Sequence, residues 1–157
     1  MKIGIVGHGT DKFTPATRRA AVAIIRMLLK PGDVLVSGHS PVGGIDIWAE
    51  EVARDEGIAM DLKIPRQNKW DAEYGFKQRN LDIARDSDEV HVIVVENYPM
   101  DYHGRRWLDD DALPVCYHCA RLPEVQQPEL HVKSGGCWTG IQARRLGKPV
   151  TWHILPQ

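Results

Sequence analysis

Apolar residues fall in short blocks along this chain, and between the blocks they recur at helical spacing. Residues 2–6, KIGIV, form an apolar run that stops at Gly7, which predicts a buried strand. From Pro15 to about Leu29 the period lengthens. Ala20, Ile24, Met27 and Leu28 share a helical face, Thr14 is placed to cap the helix, Pro15 suits its first turn, and Pro31-Gly32 stops it. DVLVSG, 33–38, predicts a second strand. A helix over about 44–56 keeps Ile45, Trp48, Ala49, Val52 and Ala53 on one side and ends at Gly57. IAMDLKI, 58–64, predicts a third strand, and a helix near 71–86 turns Leu81 and Ala84 inward. EVHVIVV, 89–95, predicts a fourth strand. A short helix near 139–146 and a strand in PVTWHIL close the pattern.

Strands alternating with helices imply a parallel sheet covered on both faces. Right-handed crossovers then leave few arrangements, and the expected fold is α/β: a three-layer, Rossmann-like, doubly wound parallel sheet in a single domain over 1–157. Ligands of such sheets bind beyond the carboxyl ends of the strands. Those ends carry three glycine-bearing stretches here: GHGT (7–10), SGHSPVGGID (37–46) and KSGGCWTG (133–140). Residues 97–133 break the alternation. They are rich in proline, charge and aromatics, show no sustained period, and read as an insertion before the last helix and strand. Unstructured loops of that length are uncommon in compact domains unless function or an added constraint holds them.

Composition narrows the picture. The 157 residues suffice for one sizeable core. A formal net charge of −1 provides no global basic field for nucleic acid or an anionic membrane. No apolar run approaches the roughly 20 residues of a membrane-spanning helix, and the opening MKIGIVGHGT reaches a glycine loop too soon for a signal peptide. Three cysteines cannot all pair within the chain, so a reducing, cytoplasmic setting is expected.

The glycine loops carry the candidate chemistry. SGHSPVGGID follows a strand and opens a helix. Gly43 and Gly44 let backbone approach a ligand, the helix N-terminus offers unpaired N–H groups, and Ser37, Gly38, His39 and Ser40 add donors. The stretch is neither a phosphate loop ending in GK[ST] nor a GxGxxG fingerprint. Asp46 would repel phosphate but suits a ribose hydroxyl or a general base; complementing the helix N-terminus is the plainer role for it. Gly7, Gly9 and Thr10 from the first loop, and Ser134, Gly135, Gly136 and Thr139 from the third, complete the expected binding set.

Four stretches resemble the SLOG superfamily, which includes the DNA-processing protein A domain and the Lonely Guy, lysine-decarboxylase-like proteins. They are IGIVGHGTDKF, SGHSPVGGIDIWAEEVARDEGI, WDAEYGFKQRN and SGGCWTGIQARRLGKPV. The resemblance implies a Rossmann-like fold that binds nucleotides or nucleotide-derived ligands at its loops. It also implies a homodimer and, in some members, cleavage of N-glycosidic bonds. It adds the pair Arg79-Asn80 to the site, with a guanidinium able to fork onto phosphate. Lonely Guy enzymes carry PGGxGTxxE with a catalytic glutamate. Here Trp138 stands where the third glycine is expected and Gln142 where the acid falls, which leaves a catalytic role to Asp46 or another acid. Trp70 and Trp138 are placed either to stack a base or to pack the core.

Cys137 lies inside a loop of that kind, and the insertion supplies a reason. Cys116 and Cys119 form a CxxC pair, and the full spacing is C-x2-C-x11-H-x5-C with His131 and Cys137. Three thiolates and an imidazole make a closed tetrahedral zinc site, and ligation can order a segment too polar to fold alone. His118 is an alternative to His131, and the cysteines as a redox pair or as small buried hydrophobes are the other readings. In the 101–111 stretch, Arg105 and Arg106 are placed either as a phosphate lid or as a charged surface. The expected function is a sensor or carrier of a nucleotide-type ligand. An N-glycosidic hydrolase or transferase is the alternative, and nucleic-acid binding a weaker one.

Overall fold

The structure is a computed structural model, and it describes residues 1–95 and 134–156. Five parallel strands form one sheet in the order β3-β2-β1-β4-β5. They are β1 (Lys2–Gly7), β2 (Val34–Ser37), β3 (Ala59–Leu62), β4 (Glu89–Val95) and β5 (Val150–Leu155). Four helices join them: α1 (Pro15–Leu28), α2 (Ile45–Asp55), α3 (Phe76–Asp86) and α4 (Gly135–Arg145). This is the expected three-layer, Rossmann-like architecture. The order reverses between β1 and β4, so the chain leaves these two neighbours toward opposite faces and opens a crevice at their carboxyl ends.

Alternation along the strands builds two cores. Ile3, Ile5, Leu35, Ile93 and Val95 point to one face and pack with Ala21 and Ile25 of α1 and with Ile45, Trp48, Ala49 and Val52 of α2. Val6, Val36, Val90, Val92 and Val94 point to the other and pack with Ile83 and Ala84 of α3 and with Cys137, Ile141 and Ala143 of α4. Central strands buried on both faces read as unbroken apolar runs, which is why β1 and β4 were legible.

Three local expectations are corrected. The buried stripe of α1 is Thr17, Ala21 and Ile25, at steps of four, while Ala20 is exposed and Met27 is 71% exposed. In α3 the inward residues are Asn80, Ile83 and Ala84, with Leu81 only half-buried. The helix begins at Phe76 because residues before it form a tight knot. Gly75 N–H donates to Ala72 O and Phe76 N–H to Lys69 O, and Tyr74 has φ +54. Finally, α4 begins at Gly135, so its two glycines are the first helical turn and not a loop. Ser134 caps it, its Oγ accepting from Cys137 N–H at 2.9 Å.

The cap of α1 is the one expected. Thr14 Oγ1 accepts from Thr17 N–H at 3.2 Å while Thr14 N–H donates to Thr17 Oγ1 at 2.8 Å. Among the described residues no helix is long and apolar enough to cross a membrane.

Candidate functional site

The loop glycines act first as packing devices. A Cβ on Gly44 would lie 2.4 Å from His8 O and 2.7 Å from Gly9 Cα, and its φ is +84. Only glycine lets α2 start against the loop after β1, where Ile45 N–H donates to His8 O. A Cβ on Gly136 would lie 2.6 Å from Gly7 N, and one on Gly7 would lie 2.0 Å from Ile93 O. Together these positions draw α2, β1, β4 and α4 into contact at the crevice. Gly38 makes room for side chains instead: its Cβ position is 2.6 Å from Arg79 Nη1 and 2.9 Å from Asp46 Oδ2. Gly43, at φ +77, faces Thr10 Oγ1, and Gly9 faces Val42 and Asp11. Gly135 differs: among the described residues its Cβ position would meet only Asn80 Nδ2, at 3.5 Å.

Around the end of β2 the side chains form a charged cluster. Asp46 and Glu50 stand one helical turn apart on the buried side of α2, 9% and 2% exposed. Arg79 reaches over from α3. Its Nη1 donates to Gly38 O, its Nε donates to Asn80 Oδ1 at 2.6 Å, and Asp46 Oδ2 lies 3.9 Å from Nη1. Ser40 N–H donates to Asp46 Oδ2 at 3.2 Å. Burial pushes the Asp46 carboxyl up to about 6, with Glu50 adding to the rise, while Arg79, Ser40 N–H and His39 oppose it. Burial also lowers Arg79, and Asp46 works against that shift. Nη2 of Arg79 has no hydrogen-bond partner among the described residues.

Beside this pair stands a second one. Glu50 Oε1 accepts from Ser37 Oγ at 2.8 Å, and Oε2 lies 2.7 Å from His39 Nδ1. His39 is exposed and held at φ +50, a backbone region a histidine rarely adopts. The buried carboxylate fixes the ring and leaves Nε2 turned from it, an arrangement suited to moving a proton. Glu50 was missed in the sequence because an acid four residues after Asp46 reads as an ordinary solvated helix face. The available signal was its place among Ile45, Ala49 and Ala53, within the apolar face.

The structure therefore brings Gly7, Gly9, Thr10, Ser37, Gly38, Ser40, Gly43, Gly44, Asp46, Arg79, Asn80, Ser134, Gly135 and Gly136 to one edge of the sheet. Thr139 turns away: it is fully buried, and its Oγ1 donates to Gly135 O at 2.8 Å. Trp70 and Trp138 pack edge-to-face on each other at 4.8 Å. Cys116, Cys119, His131, His118, Arg105 and Arg106 lie outside the described residues. Cys137 is fully buried in the second core, where Trp152 Nε1 donates to its Sγ at 3.4 Å. Among the described residues there is no group of three side chains suited to a metal.

Compared with known protein families, curated proteins and solved structures, the chain matches none. A functional reading has only the residues themselves to stand on.

Proposed function

We propose that the chain binds an anionic, nucleotide-derived ligand at the carboxyl edge of the sheet and acts as its sensor or carrier, as the resemblance to the SLOG superfamily implies. The observation that supports this most is the run of contacts from Gly38 O through Arg79 and Asn80 to Gly135. A guanidinium clamped at Nε and Nη1 keeps Nη2 without a partner among the described residues. Next to it Gly135 brings no side chain of its own over the N-terminus of α4, which bears no acid in its first turn. First-turn N–H groups lack intrahelical partners and favour an anion, and the fixed fork of Arg79 adds charge-assisted donors. Mass spectrometry of small molecules co-purifying with the chain tests this, together with a melting-temperature panel of nucleotides. A phosphate-bearing nucleotide should raise the melting temperature, Arg79→Ala should remove the shift, and Arg79→Lys should restore only part of it. A flat response to the whole panel would sink the reading.

Asp46 and the His39–Glu50 pair favour a second reading, an N-glycosidic hydrolase or transferase. A carboxyl titrating near neutrality beside an oriented imidazole suits acid–base chemistry. Here Asp46→Asn should abolish turnover of a bound nucleotide while leaving its affinity within about threefold.

Zinc ligation by Cys116, Cys119, His131 and Cys137 is a further proposal, supported by spacing. Elemental analysis should find about one zinc per chain, lost in Cys116→Ser. Metal-free protein with unchanged stability would remove the proposal.

A further inference from the structure

A cleft of about 320 Å³ opens on the other side of the α2 start, lined by Thr10, Phe13, Thr14, Arg18, Arg19 and Trp48. Its floor is aromatic. Phe13 and Trp48 meet edge-to-face at 4.8 Å, and the Arg18 guanidinium sits over the Trp48 ring with Cζ 5.0 Å from the centroid. Its wall is cationic. Neither the Arg18 nor the Arg19 guanidinium has an ion-pair or hydrogen-bond partner among the described residues.

The absence of partners is unusual for its surroundings. Between Asp11 and Asp33 the chain carries Lys12, Arg18, Arg19, Arg26 and Lys30 and no acid, in a protein of net charge −1. Lys12 pairs with Asp11, and Arg26 with Asp55 and Glu56. Arg18 and Arg19 stay uncompensated near the N-terminal end of α1, where the helix dipole disfavours a cation. An anion in the cleft would remove that penalty. A guanidinium prefers phosphate geometry and also accepts a flat ring against its face. Exposed Thr10 adds a hydroxyl donor at the mouth. The volume lies at the small end of ligand sites, roughly 300 Å³ upward.

We propose that this cleft binds a phosphate monoester carried on a flat ring, of about nucleoside-monophosphate size, separately from the site at Arg79. The ring packs along Phe13 and the Arg18 guanidinium, which covers the buried Trp48 ring, and Arg18 and Arg19 hold the phosphate. The cleft shares only Thr10 with the edge site, and the proposal survives failure of that site.

Calorimetric titration of the intact chain with AMP, adenosine and inorganic phosphate tests it, in the parent, Arg18→Ala, Arg19→Ala and Arg79→Ala. Arg79→Ala isolates the α1 cleft from the edge site. There AMP should bind at least about tenfold tighter than either adenosine or inorganic phosphate, since it alone engages both walls. Arg18→Ala and Arg19→Ala, each added to Arg79→Ala, should weaken AMP by about tenfold or more, and Arg18→Lys by less. Both arginines are exposed, so these variants should keep the parent unfolding midpoint, and that measurement accompanies the titration. AMP binding no tighter than inorganic phosphate overturns the proposal, as does unchanged affinity in Arg18→Ala and Arg19→Ala.

Discussion

Two helices of this fold start on paired glycines at the same sheet edge, and they start in opposite ways. α2 opens at Gly43-Gly44 with both glycines at positive φ, no side-chain cap, and Asp46 in its first turn. Its start is jammed against His8 and Gly9. α4 opens at Gly135-Gly136 with a serine cap and no acid in its first turn, and only Gly136 is jammed. A GG pair in the sequence thus stands for two different things. At α2 it lets protein meet protein. At Gly135 no side chain among the described residues crowds the helix start closer than 3.5 Å.

The largest test of that contrast is Gly44→Val. A branched side chain would meet His8 O and Gly9, on backbone already at φ +84. It should cost about 4 kcal/mol or leave the chain unfolded, read as the denaturant midpoint. If Gly44→Val instead matched the parent in stability, the packing role would be wrong.

Next comes the acid at the α2 start. Asp46 titrates at about 6 in the folded chain against 3.8 for an unperturbed aspartate, because burial disfavours its charged form. Over that window the folded state holds the proton and the unfolded state releases it. The group therefore favours folding most below the lower value, and its contribution falls as pH rises to about 6, by on the order of 3 kcal/mol. Asp46→Asn should flatten this slope and be the more stable protein at pH 8. Unfolding midpoints across pH 4–8 decide it, and a parent slope of the opposite sign would show Arg79 outweighing burial.

Smaller effects lie at α4. Ser134→Ala removes the cap on Cys137 N–H and should cost about 1 kcal/mol. Among the described residues Gly135→Ala meets nothing closer than 3.5 Å. It should change stability by less than about 0.5 kcal/mol yet weaken any anion held at that helix end. A stability loss as large as that of Gly44→Val would erase the distinction between the two starts.

The contrast also explains what the sequence could and could not reveal. The face of α2 was legible because Ile45, Trp48, Ala49, Val52 and Ala53 alternate with charge, leaving one apolar side. α1 was misread by one position because AAVAIIRMLL is apolar on more than one side, so its period does not choose between Ala20 and Ala21. The α4 start was placed late because glycine is a poor helix former, a preference overridden here by the close approach of Gly136 to Gly7. Asp46, Arg79 and Asn80 were legible as residues that meet at the sheet edge, and His39 as a donor of its loop. Glu50 was not, and its pairing with His39 depends on a turn at φ +50 that returns the ring to α2. Thr139 looked available from its place in the motif. Its hydroxyl is spent on the carbonyl one turn back, a bond that exists only once the glycines are helical.

β4 and β5 are neighbours in register from Val90↔Val150 to Val95↔Leu155. The chain leaves the sheet at Val95 and returns at Ser134, the cap of α4, on the same edge. No strand pairing among the described residues depends on what lies between. In engineering terms the two junctions are graft points: a segment joined at Val95 and Ser134 interrupts none of the strand pairings among the described residues, and loop-closure entropy would rise only slowly with the length chosen.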